Sequence, residues 1–363
     1  MPNKWWFYIT FNPTPFKPNN QFCFVKILLI SPTQSGIGGT AKHVQGLKNY
    51  LKSKNHSVTI ISSENTFTIP IKGLKNPSFM LSALIKTKFS KNYDIIHAHH
   101  PIAAFAFKGN SAKKVVTFHG IFSNQIGMLH GKTAQNLSNK YEQNALKWAD
   151  AITTGSKESF DYYSNQGFHP HYIPNAIEID SLPMDINQKY EKQIIFVGRL
   201  SKEKGIDSLI RLSKILPKNI HLVIVGSGPL ENEIKNMSKN HSNVDFLGYL
   251  PKNKVIPLIR GSFALLQPSF AEGISTTILE AMACKIPIIA SNLGGNKELI
   301  INNENGFLIN PQDPNEINEK IIELSENKIL VKNFGQKSSE LIKNFEWVNV
   351  GKKYLKLYES LLT

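Results

Sequence analysis

The chain has 363 residues, and at roughly 150 residues per domain that length points to two domains. Its 41% apolar and 19% charged content excludes a disordered chain or a fibrous repeat, and the two distant cysteines, Cys23 and Cys284, exclude a disulfide framework or zinc knuckle and suit a reducing compartment. The charge is unusual: 42 Lys+Arg against 27 Asp+Glu leaves +15, of which residues 1–180, with 19 Lys, no Arg and 8 acids, carry +11. Such an excess suggests an anionic partner (nucleic acid, a membrane surface or a phosphorylated substrate), with a coding bias toward Lys, Asn and Ile as the alternative source.

Residues 1–24 combine an aromatic cluster (Trp5, Trp6, Phe7, Tyr8) with prolines and no A-x-A cleavage pattern, so they read as a disordered extension rather than a signal peptide. No run reaches the roughly 18 apolar residues of a membrane span. From Val25 short β-rich runs alternate with helix-length stretches: strands at 25–31, 57–62, 94–100, 114–120 and 151–156, and a helix from about Thr40 to Lys54. Residues 181–192, SLPMDINQKYEK, read as a linker. The alternation then restarts with QIIFVGRL, HLVIVGSG, VDFLGYL, ALLQPS and PIIAS. This predicts an α/β protein of two Rossmann-like domains facing across a cleft, over 25–180 and 193–345, with a last helix at 346–363 packing back on the first domain. Ligands of such sheets bind beyond the carboxyl ends of the strands, so the residues there carry the functional argument.

Gly36, Gly38 and Gly39 lie between the first strand and its helix, where backbone amides and a helix N-terminus can hold an anion. The spacing is not G-x-G-x-x-G and no acid ends the second strand, which disfavours NAD. In the second half Gly198, Arg199 and Lys204 follow a strand, so two fixed cations sit on a loop entering a helix and can neutralise a diphosphate. Gly226 and Gly228 end the next strand and permit close approach of a ligand. Glu272 and Glu280 flank Gly273, Ile274, Ser275 and Thr276, whose amides are expected at a helix N-terminus. The H-x-H-H run of His97, His99 and His100 is compatible with a metal but ends a strand, and no D-x-D or nucleophile elbow occurs, so no metal site is expected.

The E-x7-E segment, GRL-x3-KG, VGSGP, the GG loop, DIIHAHHP, TFHG, IPNAIEID, GG-x2-E at Gly294–Glu298, NGFLI-x-P and the late helix from Trp347 follow one another in an order that resembles the retaining GT-B glycosyltransferases of family 4. The resemblance runs from about residue 25 to the end. It implies an enzyme that moves a sugar from a nucleoside-diphosphate donor (UDP or GDP) to a glycolipid, lipid-linked or polysaccharide acceptor, with no metal or cofactor required. Arg199 and Lys204 would bind the diphosphate, Glu280 the ribose and Glu272 the sugar hydroxyls. The amides of Gly273 to Thr276 would hold sugar and phosphate, Gly38 and Gly39 would approach the phosphate from the first domain, His119 would contact the donor sugar, and the base would lie near Leu250. Lys285-Ile286 stands where the family usually has a glycine before the proline, and Asn296-Lys297 where it often has a proline before Glu298. The alternatives are a GT-B epimerase or phosphorylase, and a nucleic-acid- or anion-binding protein; the absence of arginine from the basic half disfavours nucleic acid. A cytoplasmic enzyme, peripheral on the inner face of the membrane, is the expected setting.

Overall fold

The computed structural model describes residues 24–34, 39–71, 73–90, 92–108 and 110–363, so residues 1–23 of the extension and Gly36 and Gly38 of the glycine loop lie outside the described residues. Two six-stranded, all-parallel sheets form the framework. The first runs β2-β1-β3-β4-β5-β6, with β1 Lys26–Ile30, β2 Ser57–Ile61, β3 Ile95–Ala98, β4 Lys113–Phe118, β5 Ala151–Thr154 and β6 Pro170–Tyr172. The second runs β12-β11-β10-β7-β8-β9, with β7 Gln193–Val197, β8 His221–Val225, β9 Val244–Phe246, β10 Ala264–Gln267, β11 Ile288–Ser291 and β12 Gly306–Ile309.

Central strands such as Ile27–Ile30 and Gln193–Val197 are buried along their whole length because helices cover both faces, and this removes the polar–apolar alternation of a one-sided sheet. The first half contributes α1 Gly39–Ser53, α2 Lys75–Phe89, α3 Phe122–His130, α4 Lys132–Trp148 and α5 Lys157–Ser164. The second contributes α6 Ile206–Ser213, α7 Glu231–Asn240, α8 Lys252–Arg260, α9 Thr276–Ala283, α10 Asn296–Leu299, α11 Pro314–Glu326 and α12 Lys328–Leu341. The last helix, α13 Trp347–Leu362, leaves the second half and packs on α1: Trp347, Val350, Tyr354 and Leu357 share a core with Val44, Leu47 and Tyr50.

Two strands escape the sequence pattern. The three residues of β6 are too few to show periodicity, and Gly306–Ile309 reads as a short apolar run until it pairs with β11. Between the sheets the backbone of Ile177 bridges Glu346, and the amide of Lys157 and the hydroxyl of Tyr172 both donate to the Glu298 carboxylate. These contacts join the halves behind the cleft into which both sets of strand ends open.

Candidate active site

A cavity of about 790 Å³ lies between the sheets, at the carboxyl ends of their strands. Its lining includes Gly39, His119, Gly198, Arg199, Lys204, Gly226, Leu250, Glu272, Gly273, Ile274, Ser275, Thr276 and Glu280. The structure therefore gathers around one cavity every sequence-predicted site residue that it describes. Arg199 follows β7 on an exposed loop and makes no ion pair among the described residues. Lys204 ends a one-turn 3₁₀ segment, Lys202–Lys204, and its ammonium is paired with the Glu272 carboxylate. Glu280 lies on α9, buried, and accepts from Lys42 Nζ at 2.8 Å, with Lys252 Nζ at 3.9 Å.

The region between the two glutamates is built for close approach. Ser275 caps α9, its hydroxyl accepting from the Ile278 amide, so Gly273 and Ile274 belong to the loop ahead of the helix and Thr276 opens its first turn. A Cβ on Gly273 would overlap the carbonyl oxygen of His119, which brings the two domains into backbone contact at this point. Gly226, at φ 151°, leaves no room for a side chain against the Gly198 carbonyl, so the loops after β7 and β8 lie against each other at the cavity wall. Asn175 ties the halves together: its Oδ1 meets His119 Nδ1 at 3.0 Å and its Nδ2 donates to the Ile274 carbonyl at 2.7 Å.

Behind His119 is a nest of imidazoles. His43 and His119 rings are 5.0 Å apart, His43 and His99 5.6 Å, and His97 and His99 4.1 Å. His97 bonds the Tyr358 hydroxyl at 2.7 Å and Thr117 at 2.6 Å, and His43 bonds the Tyr354 hydroxyl at 3.0 Å. Both nitrogens of His99 lack a hydrogen-bond partner. Burial pushes all four pKa values down, to about 4 for His119 against the opposing Asn175 bond and to about 3 for His97; neighbouring histidines add to the depression at His43, His97 and His99. The site histidine is thus neutral at pH 7. Among the described residues no group of three or more His, Cys, Asp or Glu is arranged to hold a metal ion.

Several cavity residues were not singled out from the sequence. Lys42 is one lysine among many in the first half, and nothing in its spacing marks it as the partner of a carboxylate in the other domain. Lys252, at the start of α8, has its ammonium pKa lowered by burial against the opposing pull of Glu280. Asn175 sits within the IPNAIEID motif, where only the order of the residues was legible and not its bridging bonds. Gln125 and Tyr249 complete the rim.

Residues 37–181 match the family described as Glycosyltransferase Family 4, and residues 184–341 the family described as Glycosyl transferases group 1. An uncharacterised glycosyltransferase of Methanocaldococcus jannaschii is 30% identical over 76% of this chain and 70% of its own length, and another from the same organism is 29% identical over 93% and 99%. The chain belongs to the family 4, or group 1, glycosyltransferases. Sucrose-phosphate synthase from Thermosynechococcus elongatus superposes with a TM-score of 0.80 at 19% identity, over 93% of this chain and 99% of that one. HepE of Anabaena, solved in complex with UDP and glucose, superposes with a TM-score of 0.73 at 19% identity, over 93% and 100%. These likenesses show the GT-B fold, and the enzyme is a glycosyltransferase. No helix among the described residues is long and apolar enough to cross a membrane.

Proposed function

We propose that this glycosyltransferase takes a sugar from a UDP or GDP donor and places it, with retention at the anomeric carbon and without a metal ion, on a lipid-linked or glycan acceptor held by the first domain. The observation that carries the reading is the single cavity that joins Arg199, Lys204 and the first turn of α9 to the buried carboxylate of Glu280. A donor entering it offers anionic oxygens to Arg199 and Lys204, ribose hydroxyls to Glu280 and sugar hydroxyls to Glu272. Lys204 and Glu272 thereby exchange each other for ligand, as do Lys42 and Glu280, so neither carboxylate is left buried and unpaired.

Departure of the diphosphate is the costly event, because charge builds on the leaving oxygen. Fixed cations and helix amides aimed at that oxygen lower the barrier without reorganising, and losing one such contact typically costs roughly 2.7–4 kcal/mol. His119, neutral and oriented by Asn175, lines the cavity with its Nε2 buried and without a hydrogen-bond partner, and is the group proposed to contact the donor sugar. UDP in HepE and a phosphatidyl-myo-inositol mannosyltransferase of Mycobacterium leprae, 20% identical over 93% of this chain, support the donor and acceptor classes. The test is nucleotide release from UDP- and GDP-sugars with and without lipid-linked acceptors. Acceptor-dependent release is expected. An isomerised donor formed without acceptor would make the protein an epimerase, and a need for inorganic phosphate would make it a phosphorylase. Activity abolished by EDTA and restored by magnesium would overturn the metal-free part.

A further inference from the structure

Large apolar side chains are unevenly exposed over the surface. Phe67, Ile71, Leu74, Leu81, Ile85 and Phe89, all within α2 and the loop before it, are each 47–77% exposed. The inward face of α2 is set by Phe79, Met80, Ala83 and Thr87, which pack on the 3₁₀ segment Ala103–Phe107 and the first sheet. At 100° per residue Leu74, Leu81, Ile85 and Phe89 fall on the opposite side, so the helix is apolar on two faces. The loop is fixed against it: Ser82 donates to the Phe67 carbonyl at 2.8 Å, and the Ile69 amide donates to Ser78 at 2.9 Å. The apolar groups are therefore held outward by ordered backbone.

Charge selects the occupant. Between Asn65 and Tyr93 the sequence has five lysines and no Asp or Glu. Lys75 and Lys88 are exposed beside the apolar stripe, and Lys86 donates to the Asn65 carbonyl. An apolar face edged by cations along the helix, with Glu64 at its near end bonded to the Gln34 amide, suits the interface of an anionic bilayer, where the methyl and ring groups enter the acyl boundary and the ammonium groups meet headgroup phosphates. Position fits too. The loop after β2 touches the loop after β1 through Ser63 and Pro32, at 3.3 Å, and through Glu64 and Gln34, at 3.0 Å, so the stripe begins beside the loop that follows β1 and precedes Gly39 and Thr40 of the cavity lining.

We infer that the outward face of α2 together with Phe67, Ile71 and Leu74 forms the membrane-docking surface of this glycosyltransferase, with an anionic lipid bilayer as its partner. The inference rests on the proposed lipid-linked acceptor for its purpose, since docking here holds the first domain, proposed to bind that acceptor, on the bilayer. The experiment is flotation of the full chain with phosphatidylcholine vesicles containing roughly a third phosphatidylglycerol, against pure phosphatidylcholine. The wild type should float with the anionic vesicles at low salt. The triple variant Leu81→Ser, Ile85→Ser, Phe89→Ser should bind at least about tenfold more weakly, and Lys75→Gln with Lys88→Gln should weaken binding and flatten its salt dependence. Circular dichroism and transfer to a soluble acceptor should be unchanged in the triple variant, which separates lost docking from lost folding. Equal binding by wild type and triple variant, or no binding by the wild type, overturns the inference. So does a wild-type dimer that the triple variant dissociates, because a second copy would then own the face. If vesicle binding behaves as expected while no nucleotide sugar is turned over, the proposed function fails and the docking surface stands.

Discussion

Acidification from pH 7.5 to 5.5 is expected to destabilise the first domain sharply through its buried imidazoles. His43, His97 and His99 are 0–1% exposed, and burial holds the pKa of each well below its ordinary value. A histidine whose folded pKa is depressed contributes stability that is complete above the unfolded value near 6.5 and is lost as pH falls toward the folded value, about 3 for His97. At pH 5.5 each unfolded imidazole binds about 0.9 proton while its folded counterpart stays neutral, which removes about 1.4 kcal/mol per residue relative to pH 7.5. The three together remove about 4 kcal/mol, a large share of the 5–15 kcal/mol by which domains are stable, and lower Tm by about 10 °C.

Glu142, Glu158 and Glu298, whose pKa values burial raises, release protons on unfolding and act in the opposite direction. His100 and His119, each lowered to about 4 by burial, add to the uptake, so the net at pH 5.5 should still reach about two protons or more, read from the pH slope of the unfolding free energy in urea titrations. His99→Leu isolates one contributor, because neither ring nitrogen has a hydrogen bond to lose. It should cut the uptake by about one proton and leave the Tm at pH 5.5 above that of the wild type. A Tm that moves by less than about 2 °C between the two pH values, or an uptake the His99→Leu variant leaves unaltered, would refute neutral burial of the cluster.

Lys204→Ala and Glu280→Ala should each lower turnover at least about 100-fold in steady-state assays, with the far-ultraviolet spectrum unchanged; near-wild-type rates in either would remove the site assignment. Gly273→Ala places a methyl group on the His119 carbonyl and forces the domains apart at the cavity, so kcat should fall at least about tenfold while each domain stays folded by circular dichroism. Lys285 holds φ 59° immediately after α9, where the Lys285 and Ile286 amides close the helix on Met282 and Ala281. Lys285→Gly removes the penalty of a left-handed side-chain residue and should raise stability by about 0.5–1 kcal/mol in urea titrations.

Order along the chain made the fold legible. Repeated strand, turn and helix signals on either side of residues 181–192 specify two parallel sheets, and parallel strands covered on both faces advertise themselves as unbroken apolar runs. Cavity-lining residues that sit at strand ends, such as Arg199 and His119, were legible for the same reason. Lys42 and Asn175 were not, because their roles exist only between domains: one ammonium reaches across 238 residues of sequence to Glu280, and one amide spans His119 and Ile274. The departure at Lys285 was visible as a missing glycine. That the lysine adopts the glycine's left-handed backbone is a fact of the folded helix end alone.

The charge of the first half gains its meaning from where its carboxylates point. Asp94 accepts from the Lys26 amide at 2.7 Å, Asp150 from the Lys114 amide at 2.7 Å, and Glu142 from the Ser123 amide at 2.8 Å. These acids are used on backbone at strand and helix starts, and so are diverted from the lysine side chains around them. Among the described residues Lys42 is the one lysine of residues 1–180 in an ion pair, and its partner lies in the other domain. A coding bias supplies lysines without regard to where acids fall, whereas here the acids present leave the surface charge uncompensated. The resulting field is positive, diffuse and borne on flexible ammonium groups. That form suits drawing the domain to an anionic surface, whereas Lys42 and Lys204 of the cleft are each paired to a carboxylate.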